Sequence, residues 1–178
     1  MNRAITLTAA LWMACFLGTA ISQVLPSDVD LRAAYCMEVL NLEIQAIEEI
    51  RQTTPRFLSE LSGPNYQALT PAERDQLRNI LTQNLADAPR EQSNRQQTLQ
   101  RIRLYIVPRI SYLDSSSLLA AMTSAKADKT NYANKVQETA TTCHPRCQSD
   151  TACLARCAGV VEITSRFEAC RNPTWLPF

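Results

Sequence analysis

Glycine is nearly missing from this chain, with three in 178 residues. So few residues able to turn at positive φ leave little material for the tight hairpins of an antiparallel sheet. Aromatic residues make up only 6%, and no stretch alternates apolar and polar side chains as a half-buried strand does. The chain holds a single histidine, His144, so a Ser-His-Asp or Cys-His mechanism would have to run through it. It sits beside Cys143 and Pro145, which reads as a surface turn. Gly-rich phosphate loops, Gly-x-Ser-x-Gly and His-Glu-x-x-His are all absent. Glu48 and Glu49 are adjacent, and on a helix they point about 100° apart, unlike a converging carboxylate pair. These gaps argue against an enzyme, and no cofactor is expected.

Helical periodicity and cysteine are what remain. The chain opens Met1-Asn2-Arg3, continues with an apolar run from Ala4 to about Gly18, and then places Ala20 and Ser22 before Gln23. A basic start, an apolar centre and small residues at minus three and minus one describe a secretory signal peptide, residues 1–22. The run falls short of the ~20 residues of a spanning helix, so no stable membrane anchor is expected after cleavage, and the expected location is exported, periplasmic or extracellular. Cleavage takes Arg3 and no acidic residue from totals of 18 basic and 17 acidic, leaving 17 of each. A formally neutral chain lacks the positive field of a nucleic-acid binder. Residues 23–172 read as a single all-helical domain, and residues 173–178 as a tail.

Seven cysteines are present, and Cys15 lies in the leader, which leaves six. Cys143, Cys147, Cys153 and Cys157 form two Cys-x3-Cys pairs with residues 148–152 between them. Residues four apart share a helix face, so each pair presents a column of two thiols. A hairpin between the columns opposes Cys143 to Cys157 and Cys147 to Cys153, leaving Cys36 for Cys170. Ser149 or Asp150 offers the N-cap of the second arm, while Pro145 loosens the first. Metal binding through residues 143–157 is the rival reading. Structural zinc takes Cys pairs 12 to 20 residues apart, however, and an exported chain oxidises its thiols.

Elsewhere, apolar steps of three and four mark helix faces. Val29, Ala33, Cys36, Leu40, Ile44, Ile47 and Ile50 follow a cap at Ser27 or Asp28. Pro55 is expected to kink or end that helix, with Phe57, Leu58 and Leu61 on a short continuation closed by Gly63-Pro64. Thr70-Pro71-Ala72-Glu73 is a capping box. Leu77, Ile80, Leu81 and Leu85 face inward on a helix expected to stop at Pro89. The next carries Leu99, Ile102, Ile106, Ile110 and Leu113 with a kink at Pro108. After a cap at Asp114 or Ser115 come Leu119, Met122, Ala125, Lys129, Tyr132, Val136, Ala140 and Cys143, and the last helix shows Cys153, Cys157, Val160, Thr164, Phe167 and Cys170. The fold expected is an all-α, irregular bundle of about five helices, kinked at prolines, stapled by three disulfides and ending in a helical hairpin. Segment 28–60 carries a net charge of minus four and segment 90–109 plus four, so these two should pack side by side.

The tail from Asn172 to Phe178 sets Trp175, Leu176 and Phe178 among two prolines. It either folds back over the core or stands out as a docking peptide that loses little entropy on binding. The four-cysteine block resembles the twin-Cys motif of the small intermembrane-space chaperones of mitochondria at Cys143, Cys147, Cys153 and Cys157. The similarity covers residues 143–157 alone, with a shorter spacer, a leader and a large helical part before it, so it implies shared staple geometry and no family. The functional expectation is an exported, non-enzymatic helical protein acting through an unknown protein partner. The alternatives are a small apolar ligand held among Leu99, Ile102, Met122 and Phe167, and a metal in the cysteine block.

Overall fold

The computed structural model describes residues 28–67, 69–147 and 150–177. The expected leader 1–22 with Cys15, the alternative caps Ser27 and Ser149, and the terminal Phe178 lie outside the described residues. Among those described the chain is all-helical, with no strand. Helix α1 is Val29–Glu60, α2 Pro71–Ile106, α3 Ser115–Cys147, α4 Thr151–Cys157 and α5 Val161–Arg171. Short 3₁₀ turns, Pro64–Tyr66 and Val107–Tyr112, join α1 to α2 and α2 to α3.

Helix starts follow side-chain capping. The Asp28 carboxylate accepts from the amides of Asp30 and Leu31 at 2.8 and 3.0 Å. Thr70 and Glu73 form the reciprocal box, and Asp114 accepts from the Ser117 amide. Asp150 receives the Cys153 amide at 3.0 Å. Each satisfies donors that the first turn leaves without an intrahelical acceptor.

Helix stops depart from expectation. Proline inside a helix costs roughly 3 kcal/mol, yet α1 runs on through Pro55 and α2 through Pro89. Both prolines are exposed, so the carbonyl deprived of its donor, at Arg51 or Leu85, lies on a side that water reaches. Pro145 likewise stays within α3, so the His144 backbone belongs to the last turn of a helix and not to a turn between helices. Disulfides at Cys143 and Cys147 pin the two ends of that turn. Pro108 does act: α2 gives way there to the 3₁₀ turn, whose tighter winding rotates Ile110 outward. Ile80, Leu119 and Val136, expected inside, are also exposed. Gly63 is not a left-handed cap, since its φ is −82°; a Cβ there would meet the Glu60 carbonyl oxygen at 3.0 Å.

Gly159 is the glycine that needs its freedom, with φ +67° between α4 and α5. The Val160 amide donates to Ala155 and the Gly159 amide to Arg156, at 3.0 and 3.1 Å, which is the paired bonding of a Schellman close.

The core draws on four helices: Ala33, Tyr35, Cys36, Val39 and Leu40 from α1, Leu99, Ile102 and Ile106 from α2, Ala121 and Ala125 from α3, and Ile163, Phe167 and Cys170 from α5. Cys36 and Cys170 are bonded with Cα atoms 4.9 Å apart, tying the first helix to the last. Cys143–Cys157 and Cys147–Cys153 nest between α3 and α4 at 5.8 and 5.4 Å.

Candidate functional site

Charge complementarity between α1 and α2 concentrates on one carboxylate. Glu43 lies on the inward stripe one turn beyond Val39 and is only 5% exposed. Its Oε2 accepts from Arg95 Nε of α2 at 2.9 Å and Arg171 Nε of α5 at 3.1 Å. Its Oε1 accepts from Arg171 Nη2 at 2.7 Å and Lys129 Nζ of α3 at 3.3 Å. Four helices thus meet at a single side chain, and the Arg171 contact is the two-pronged fork that suits a guanidinium to a carboxylate. Burial alone pushes the Glu43 carboxyl up. The Arg171 hydrogen bonds and the charges of Lys129, Arg171 and Arg95 outweigh it and hold the group below the usual glutamate range. Burial also lowers Lys129, against the opposing pull of Glu43, and its ammonium lies 4.7 Å from the centre of the Phe167 ring.

A second polar cluster sits deeper in the bundle. Tyr35 donates its hydroxyl to Asp128 Oδ2 at 2.7 Å, and Arg166 Nη2 donates to Asp128 Oδ1 at 3.1 Å. Burial, reinforced by the Asp128 hydrogen bond and charge, raises the Tyr35 phenol well above its ordinary value. Burial raises Asp128 too, despite the opposing pull of Tyr35 and Arg166. Charges of opposite sign face one another in both clusters, though Arg166 Nε and Nη1 are buried without a hydrogen-bond partner. The clusters fix the mutual rotation of α1, α3 and α5 as a purely apolar seam does not.

Around the first cluster α2 and the end of α5 leave an open polar cleft of about 440 Å³. Arg95 and Arg171 are in its wall, Glu91 and Glu168 on its rim, and Asn94, Gln97, Thr98, Arg101 and Asn172 complete it. Glu91 pairs with Arg95, and Glu168 with Arg171.

Residues expected to act are placed differently. Leu176 is buried in the core, Pro173 is buried, and the half-buried Trp175 donates Nε1 to the Ala169 carbonyl at 2.9 Å. The described part of the tail is therefore folded back and not a free docking peptide. The disulfide at Cys170 returns the chain to the α1 surface, where Arg32 lies 5.7 Å from the Trp175 ring centre. Leu99, Ile102 and Phe167 pack in the core cluster, and Met122 is half-buried. The four cysteines considered as thiolate ligands are all bonded to one another, and among the described residues no group of three or more His, Cys, Asp and Glu is placed to hold a metal ion.

Nothing in the apolar pattern points to the Glu43 centre except Lys129. A lysine in register with Ala125 and Tyr132 on an inward stripe requires a buried counter-charge, and that requirement leads to α1.

Fold and clusters define a disulfide-stapled helical bundle with a buried ionic centre. No protein-family model matches this chain, and neither a curated protein nor a solved structure matches it.

Proposed function

We propose that the chain is an exported, non-enzymatic helical protein that works by binding another protein, through the end of the bundle where α2 passes into α3. The observation that carries this reading is a set of large apolar side chains left in water there: Leu104 66%, Val107 60%, Tyr112 86% and Leu119 66% exposed. Isolated exposed apolar residues are ordinary. Four of this exposure within sixteen positions are what a contact surface offers, and tyrosine is enriched in such surfaces. The Arg109 guanidinium, held 4.1 Å over the Tyr105 ring, keeps the segment stiff, so little order has to be gained on binding.

Export is supported by three disulfides, which persist outside the reducing cytosol, together with the basic-then-apolar start of the sequence. Among the described residues no helix is long and apolar enough to cross a membrane.

Immobilised protein exposed to an extract of the exported fraction should retain a reproducible partner, and L104D/Y112D should lose it while melting as the wild type does. Equal recovery by that variant removes this surface from consideration. Cys143–Cys157 and Cys147–Cys153 found as free thiols in protein isolated from its natural location would overturn export.

A further inference from the structure

We infer that the cleft beside Glu43 is a binding site for a small solute bearing a carboxylate or phosphate group, anchored on Arg101. Its volume, about 440 Å³, falls in the range of small-molecule sites. Its walls are polar and rich in donors, unlike the apolar pocket that the sequence suggested. Arg95 and Arg171 are immobilised from behind by Glu43, at 2.9 and 2.7 Å. Glu43, Glu91 and Glu168 between them answer both charges, so the two guanidiniums supply oriented N–H donors and not net positive charge. Arg101 stands about 1.7 turns further along α2 from Arg95 and also lines the cleft, and among the described residues it makes no ion pair or hydrogen bond. An unpaired guanidinium in the same cleft as two buttressed ones suits an oxyanion, which it can grip with two parallel N–H bonds.

Amide groups supply the remaining polarity. Asn94 and Asn172 carry side-chain N–H donors on opposite walls of the cleft, and Gln97 adds a third beside Arg101. The acids set the selectivity. Glu91 and Glu168 each already answer one arginine, so an incoming anion competes with them at Arg95 and Arg171 and meets no competitor at Arg101. The rim carboxylates also repel bulky polyanions, which favours a solute with one or two negative charges. Its apolar surface would find no partner here.

The test uses the full disulfide-bonded chain, labelled with ¹⁵N and titrated at low ionic strength with inorganic phosphate and, separately, with succinate. Saturable shifts confined to residues 91–101 and 168–172 are expected, and the tighter of the two anions identifies phosphate or carboxylate as the source chemistry. Arg101→Gln should weaken binding by about tenfold or more, the loss of a charged two-bond contact. Glu168→Gln, which frees Arg171, should tighten it severalfold, whereas a purely structural salt bridge would leave binding unchanged. Melting curves confirm that both variants fold, since both sites are exposed. The proposal is overturned by shifts that fail to saturate at about ten times the millimolar scale expected of a single anchor, by equal binding in R101Q, or by an unaltered affinity in E168Q.

Discussion

The body of the bundle and its cysteine hairpin use the same covalent bond for different ends. In the body, Cys36 and Cys170 are both fully buried amid Tyr35, Leu40, Ile102 and Phe167, so the bridge reinforces helices that already bury apolar surface against one another. Along the hairpin, burial among the described side chains is confined to Cys143, Cys147, Ala158 and Val160. Residues 133–137 of α3 are all exposed, Cys153 is half-buried and Cys157 is exposed. An α4 of seven residues is far below the ~12–15 at which an isolated helix becomes even marginal. There the disulfides stand in place of a core. One region is packed and then bonded, the other bonded around a far smaller buried patch.

Removing the bridge from the packed body should cost the most. C36A/C170A reopens a link spanning 134 positions and is expected to lower unfolding stability by about 5 kcal/mol in denaturant titrations. A loss below about 1 kcal/mol would mean that packing alone holds the body and that the contrast is overdrawn. Glu43→Gln should follow, at about 3 kcal/mol, because three partly buried cations lose their shared anion. This variant also carries a pH signature. The Glu43 carboxyl is held below its ordinary value, so its stabilisation is complete above that value and fades as pH falls through the folded one. The wild type should weaken with acid across this window, and E43Q should show a shallower slope. Asp128, shifted upward, acts in the opposite sense and blunts the slope.

In the hairpin, C147A/C153A should cost about 2 kcal/mol and act locally. Amide exchange is expected to accelerate from Cys143 to Val160 while amides of α1 and α2 keep their protection. Acceleration spread over the whole chain would erase the distinction between the two regions. The smallest effect belongs to Gly159→Ala, about 1 kcal/mol, since the added Cβ finds open space but left-handed φ penalises an L side chain. Thermal melting reads that difference.

Much of the architecture was legible in the chain. Thr70 with Glu73, Asp28, Asp150 and the three- and four-residue steps located helix starts and faces, and cysteine spacing gave the hairpin its register. Helix ends were not legible, because whether a proline breaks a helix depends on whether its freed carbonyl faces water or protein. Pro55 and Pro89 face water, and only the packed structure reveals it. The polar centres were harder still. Glu43 resembles every other acid of α1 in a pattern that sorts residues as apolar or polar. Its partners come from positions 52, 86 and 128 residues away, distances over which local periodicity says nothing. The outward turn of Ile80 and Leu119 has the same origin, since a periodic stripe says which residues align and not how wide a neighbour covers them.

The bridge from Cys36 to Cys170 turns almost the whole described chain into a ring. A protease that cuts once anywhere inside that ring releases no fragment, because both pieces stay joined through sulfur, and α2 and α5 keep their places beside α1. Under proteolysis such a molecule wears out by degrees and not at the first cut.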